Sequence, residues 1–254
     1  MAPVNQSAQS TSDIDLSIVI PAWNEVTRLP LTLEKIERFQ HEFKGHLEVV
    51  IADDGSCDGT TETLERFQQR INLQILRSPV RRGPGHAVRR GVLAARGDRI
   101  LISDADGPVP FEDTMLLWAA LDKGVHFAAG SRVKDPAKLL KSQPSHRVLM
   151  GKVWRSITGR IVPTGIHDTQ CGFKLMKRDC ARSVFQAVHS NGFGFHVEAL
   201  YRARRQNFSI QEIPVRWKDI SGSKVNLVRD PVIMLGEIFR IAARAKASNL
   251  GLKN

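Results

Sequence analysis

RILISDADGP, residues 99–108, is a short apolar run that breaks into two carboxylates one small residue apart. Two stretches upstream likewise run from a short apolar segment into a polar cluster: LSIVIPAWNE (16–25) and LEVVIADDGS (47–56). Each run is short, rich in branched residues and free of polar alternation, so it reads as a strand buried on both faces. The predicted strands are Leu16–Ile20, ended by Pro21, then Leu47–Ala52, Leu73–Leu76, Ile100–Ser103 and Val125–Ala129. Helical spacings fall between them. Leu29, Leu33, Ile36 and Phe43 mark one helix. Leu64, Phe67 and Ile71 mark a second, capped by Asp58 or Thr60. His86–Arg96 and Phe111–Lys123 supply two more. Strand and helix in alternation require parallel pairing through crossover helices, hence an α/β sheet covered on both faces. The ligand crevice of such a sheet lies beyond the carboxyl ends of its strands. The polar clusters Pro21–Glu25, Asp53–Asp58 and Asp104–Asp106 all fall there.

After Gly130 the rhythm changes. A helix is predicted over Val148–Ile161, a loop over Pro163–Gly172 and a strand near Phe173–Met176. Helices follow near Arg178–His189 and Val197–Arg205, with a strand over Ile210–Trp217 interrupted by Pro214. The last helix, about Pro231–Lys246, mixes Ile233, Leu235, Ile238, Phe239 and Ile241 with Arg240, Arg244 and Lys246. It fits equally a membrane interface and packing on the sheet with a solvated basic edge. The chain divides into a polar tail expected to be disordered (1–14), a folded domain (15–229) and a basic amphipathic helix with its tail (230–254). Within the domain, 15–130 and 131–229 form two halves.

With 254 residues the chain can bury a substantial core. Lys and Arg total 37 against 26 Asp and Glu, a net charge of +11, which favours anionic partners. Nucleic acid is not expected among them: the basic residues are scattered and there is a single Tyr, with no aromatic-studded basic strip. Three cysteines, Cys57, Cys171 and Cys180, without a C-x-x-C pair, argue against a disulfide framework or a zinc site. No signal peptide and no apolar run of membrane-spanning length are found. The chain is expected in the cytoplasm, peripheral at the cytosolic face of a membrane.

Asp104 and Asp106 could be solvated turn residues or could share a cation. Hard carboxylate oxygens suit Mg²⁺ or Mn²⁺, which keep waters and bind diphosphate oxygens. Asp53 could accept a hydrogen bond from a base or ribose, or simply cap a turn. The glycines of Arg82-Gly83-Pro84-Gly85-His86 do not follow a strand, and no Walker A sequence is present, so dinucleotide and P-loop sites are disfavoured.

PAWNE (21–25), DDGSCDGT (53–60), SDADG (103–107) and GSR (130–132) together resemble a family 2 glycosyltransferase of the GT-A fold. HDTQCGFKLM (167–176), FHVEALY (195–201), EIPVRW (212–217) and SGSK (221–224) narrow the resemblance to dolichyl-phosphate β-glucosyltransferases and related polyprenyl-phosphate hexosyltransferases. It implies a nucleotide-diphospho-sugar transferase fold, with a mostly parallel central sheet flanked by helices. It implies a metal-dependent, inverting transfer of a hexose to a polyprenyl phosphate, with glucose from UDP-glucose favoured. GDP-mannose-dependent transfer is the alternative, and a non-catalytic basic binding protein a distant one. By resemblance, Pro21, Ala22, Trp23, Glu25 and Asp53 hold the nucleotide, with Asp104 and Ala105 near ribose and diphosphate. Asp106, with Asp104, takes the divalent cation. Arg132, Arg147, Ser223 and Lys224 match positions that grip phosphate. Asp168 opens the motif nearest the acceptor. A phosphate monoester is already nucleophilic near neutral pH, its second pKa being about 6. Asp168 is therefore expected to orient the acceptor, the sugar or a basic partner before it removes a proton. Two departures stand out: His196 where the family usually has Asp, and Pro84 where Lys is common.

Overall fold

The computed structural model describes residues 13–132, 139–141, 158–218, 220 and 229–250. A seven-stranded sheet carries the fold. Its strands are β1 (Leu16–Ala22), β2 (Leu47–Asp53), β3 (Leu73–Leu76), β4 (Arg99–Ile102), β5 (Phe127–Ser131), β7 (Lys174–Lys177) and β8 (Ile210–Pro214). β6 (Leu139–Lys141) and β9 (Trp217–Lys218) form a separate parallel pair. The sheet order is β3-β2-β1-β4-β7-β5-β8. All its neighbours are parallel except β7, which runs antiparallel to both β4 and β5. The helices are α1 (Leu29–Glu42), α2 (Pro84–Ala94), α3 (Thr114–Asp122), α4 (Arg178–Ala187), α5 (Phe195–Arg205) and α6 (Arg229–Leu250).

Two apolar layers sandwich the sheet. On one face Leu33, Ile36 and Phe39 of α1 and Leu117 of α3 meet Ile18, Ile51 and Leu101. On the other, Val88 of α2, Val184 of α4 and Leu200 of α5 meet Val19, Ile102 and Phe127. Every residue of β2 is buried, as a strand covered on both faces requires. α6 contributes to a separate apolar cluster. Its Ile238 and Ile241 meet Val162 and Val197, while Val232, Ile233 and Phe239 stay exposed.

Some local expectations change. Pro21 does not end β1, which continues to Ala22. The backbone of Val19 faces β4, whose pairing with β1 stops at Val19↔Ile102. Pro21 faces the same way beyond that stop, so its missing N–H costs no ladder bond. Pro214 likewise closes the edge strand β8 rather than interrupting it. The second predicted helix shrinks to a 3₁₀ turn at Glu62–Phe67. Asp58 and Thr60 accept from the backbone N–H groups of Val26 and Glu25. They tie the loop to the end of β1 instead of capping an α-helix. Of the helix predicted over 148–161, only 158–161 is described, and it is helical.

The reversed strand matters for function. Parallel strands bring their carboxyl ends to one rim, and an antiparallel strand brings its amino end there. The loop before β7, residues 168–173, therefore shares a rim with the loops after β1, β2 and β4.

Candidate active site

Asp104 and Asp106 leave β4 into this rim. Ala105 between them is buried, and its carbonyl accepts from the Thr32 hydroxyl at 2.8 Å. That bond fixes the backbone between the two carboxylates. Asp104 packs against Gly172, where any Cβ would strike its carboxylate. Burial and repulsion from Asp106 push the Asp104 carboxyl up to about 6, partly offset by Lys174, Arg132 and Arg28. Burial also raises Asp106, although Arg28 opposes the shift. The Arg28 guanidinium grips Glu25 through Nε at 2.7 Å and Nη2 at 2.6 Å, and reaches Asp106 at 3.4 Å.

The nucleotide-side residues lie along the same rim. Asp53, the last residue of β2, accepts from the backbone and hydroxyl of Ser56. Its neighbour Asp54 accepts from the N–H groups of Arg82 at 2.9 Å and Gly83 at 2.6 Å. Gly83 has φ +114°, a left-handed backbone that favours glycine. Pro84 opens α2, where a missing N–H is harmless. Trp23 carries the Arg81 guanidinium over its ring, 3.4 Å from the centroid.

Arg132 and Asp168 form the second centre. Arg132 Nε and Nη2 donate to the two Asp168 oxygens at 2.8 and 2.7 Å, and the Arg132 backbone N–H adds a third bond at 2.9 Å. Burial opposes ionisation of Asp168, but the charge and hydrogen bonds of Arg132 outweigh it and hold the carboxyl below its ordinary value. Asp168 is thus a carboxylate committed to a basic partner. From β8, Glu212 accepts the backbone N–H groups of His167 at 3.2 Å and Asp168 at 2.9 Å. Nearby, Thr169 Oγ1 and Gln170 Nε2 are buried without a hydrogen-bond partner among the described residues. Trp217 is 8% exposed and lies 5.7 Å from the Arg132 guanidinium, so it packs beneath the arginine rather than offering an open sugar platform.

The structure brings Pro21, Ala22, Trp23, Glu25, Asp53, Asp104, Ala105, Asp106, Arg132 and Asp168 to one rim. Arg147, Ser223 and Lys224 lie outside the described residues. Sequence reasoning passed over Arg28, Lys174 and Glu212. Arg28 sits in the turn that starts α1 and looks like an ordinary first-turn charge. Only the crossing of β1 next to β4 brings it to Asp106. No group of three or more His, Cys, Asp or Glu able to hold a metal occurs among the described residues.

An open groove of about 1330 Å³ has His167, the chain neighbour of Asp168, in its lining. It runs between residues 159–167, α5 and α6. Ile161, Val162, Tyr201 and Phe239 make its apolar lining, with Arg204 and Lys246 among its charged residues. No helix among the described residues is long and apolar enough to cross a membrane.

A family model described as glycosyl transferase family 2 matches residues 17–185. The dolichyl-phosphate beta-glucosyltransferase of Dictyostelium discoideum is 35% identical over 246 residues, covering 91% of this chain and 75% of that protein. The Saccharomyces cerevisiae protein of the same name is 33% identical over 252 residues, covering 92% and 75%. Glucosyl-3-phosphoglycerate synthase from Mycobacterium tuberculosis, solved with UDP, aligns with a TM-score of 0.66 at 16% identity, over 91% of this chain and 80% of that one. The same enzyme solved with Mn²⁺, UDP-glucose and glycerol 3-phosphate aligns with a TM-score of 0.64 at 18% identity, over 90% and 78%. The likeness to these structures is one of GT-A fold. The match to the family model and to the curated relatives spans most of the molecule, and the chain belongs to glycosyl transferase family 2 as a glycosyltransferase.

Proposed function

We propose that the chain transfers glucose from UDP-glucose to a polyprenyl phosphate of the dolichyl type, with inversion at the sugar carbon. One observation carries this reading. The Asp104–Asp106 pair and the Arg132–Asp168 pair stand on one rim, and an apolar groove edged with cations has His167, the chain neighbour of Asp168, in its lining. Donor diphosphate, acceptor phosphate and acceptor chain each have a matching surface there. The shared name of the relatives and the UDP and UDP-glucose complexes of the fold neighbours support it.

A divalent cation fits the donor side. Burial, with repulsion from Asp106 added to it, raises the Asp104 carboxyl to about 6, and a cation would relieve the repulsion. With fewer than three such ligands grouped among the described residues, the rest of its shell would come from the diphosphate and water, as Mg²⁺ and Mn²⁺ accept. When bound at Asp106 and Asp104, it would supply neutralisation of charge on the departing diphosphate.

The chain's own residues do the rest. Glu25, Asp53, Trp23 and the backbone at Pro21, Ala22 and Ala105 bind the nucleotide. Arg28 steadies Glu25 and Asp106. Arg132, aimed by Asp168, draws the acceptor phosphate towards the donor against charge repulsion, with Arg147, Ser223 and Lys224 contributing from the acceptor half. Thr169 and Gln170 offer buried polar groups to the hexose or the phosphate. The acceptor phosphate is its own nucleophile, so Asp168 need not remove a proton. The isoprenoid chain lies along the groove towards α6, whose exposed Val232, Ile233 and Phe239 rest on a membrane surface on the cytosolic side. In this reading residues 15–130 serve the donor and 131–229 the acceptor.

The test is to incubate the protein with polyprenyl phosphate and a panel of radiolabelled nucleotide sugars, with and without Mn²⁺. Mn²⁺-dependent glucose transfer from UDP-glucose to the lipid is expected. Preferential transfer from GDP-mannose would reassign the donor, and no lipid-linked product from any sugar would overturn the reading.

A further inference from the structure

Lys174 opens β7 in the middle of the sheet, paired with Ile102 on one side and Ala129 on the other. It is 1% exposed, among the largest fully buried side chains of the molecule. A buried ammonium must spend all three donors. Lys174 spends them on the Thr169 carbonyl at 3.2 Å, the Cys171 carbonyl, and Nδ1 of His196 at 3.2 Å. Since Nδ1 accepts, the imidazole proton sits on Nε2 and the ring is neutral.

Everything around His196 enforces that neutrality. The ring is 5% exposed and stacks on Phe195, centroids 3.9 Å apart. It stands in the first turn of α5, where the helix dipole disfavours a cation. Burial and the two cations Lys174 and Arg132 hold its pKa well below the ordinary value. So the ammonium's nearest side-chain partner carries no charge. Burial lowers the Lys174 pKa from its ordinary value, and the carboxylates that oppose that shift and favour the ammonium, Asp168 and Asp104, both belong to the candidate site.

We infer that His196 is a positioning residue for the donor, a neutral acceptor that orients Lys174 while leaving its positive charge for the site's acids and the diphosphate beside them. Lys174 clamps the carbonyls of 169–171, and so holds Gly172 against Asp104. A carboxylate at 196 would make the same hydrogen bond but would cancel that charge. This inference rests on the proposed donor being a nucleoside diphosphate sugar.

The test compares wild type, H196D, H196N and K174Q by calorimetric titration with UDP in the presence of Mn²⁺, by donor kinetics and by thermal melting. Wild-type binding of UDP comes first; its absence would sink the proposed function and not this inference alone. H196D should weaken UDP binding by roughly five- to tenfold, the scale of one unit charge acting across a partly buried site. Its donor KM should rise in step, with kcat little changed. Its Tm should stay at or above that of wild type, since a carboxylate in the first turn of α5 beside Lys174 is well placed. H196N, whose amide oxygen can accept from Lys174 without charge, should restore binding to near the wild-type level. Equal UDP affinity in H196D and wild type would overturn the inference. So would an H196N loss as large as that of H196D, which would reduce His196 to a packing residue. Should H196D not fold, K174Q decides: a loss of similar size supports the inference, and unchanged UDP binding overturns it.

Discussion

Replacing Asp168 with Asn takes the counter-ion from Arg132. Three hydrogen bonds of 2.7–2.9 Å cross this pair, and Asp168 is 2% exposed. Breaking a buried pair by removing one partner costs about 3–5 kcal/mol. A quarter of the Arg132 side chain meets solvent, which places the loss near the lower end, about 3 kcal/mol. In a chain of this size each kcal/mol moves Tm by about 2–4 °C, so D168N should melt about 6–12 °C lower at neutral pH. The sign with pH follows from the shift. The folded carboxyl lies below its ordinary 3.8, so its contribution is full above that value and is lost as pH falls through the folded pKa. Denaturation of wild type and D168N from acid to neutrality should therefore give curves that converge at the acid end. In transfer assays D168N should raise the acceptor KM and leave the shape of the pH–rate profile in place. A variant that melts like wild type yet loses the 10²–10⁴-fold typical of a missing general base would refute this reasoning and assign proton removal to Asp168.

Two further outcomes follow from close packing. In G172A the new Cβ meets the Asp104 carboxylate. Overpacking of that kind costs about 1–3 kcal/mol, and UDP binding by calorimetry should fall roughly tenfold or more, while the circular dichroism spectrum stays that of wild type. Glu237 of α6 accepts the backbone N–H groups of Gly192 and Gly194 at 2.8 Å each, at the start of α5. E237A leaves two donors unmet at about 1–3 kcal/mol each, so α6 should be cleaved first in limited proteolysis. Unchanged protection of α6 would show that Ile238 and Ile241 alone hold it.

The rim at the carboxyl ends was legible because its polar residues follow each strand directly in sequence. LSIVI, LEVVIA and RILI announce buried strands, and the residues after them must reach the rim. The glycosyltransferase resemblance came from the ordered set PAWNE, DDGSCDGT, SDADG and GSR, and DTQCGFK with GSK did most to narrow it. Contacts between distant segments were not legible. Nothing near Arg28 announces Asp106, because their meeting depends on β4 pairing beside β1. Glu212 reads as a polar residue of an edge strand until β8 is placed next to β5, where it reaches the 167–168 backbone. The departure at His196 was visible, but its meaning required Lys174, which faces it from the centre of the sheet. The second helix was misjudged because Asp58 and Thr60 are equally good at capping a helix and at tying a loop, and tertiary contacts chose the loop.

The Arg132–Asp168 pair has a consequence of another kind. Its residues lie 36 positions apart, one where the chain leaves β5 and the other where it returns towards β7. The pair is a non-covalent staple between the end of β5 and the loop that enters β7, and it helps fix where the one reversed strand begins. Loop-closure entropy grows only slowly with length, each doubling adding about 0.6 kcal/mol, so two positions this far apart in the chain are joined at little more entropic cost than two half as far apart.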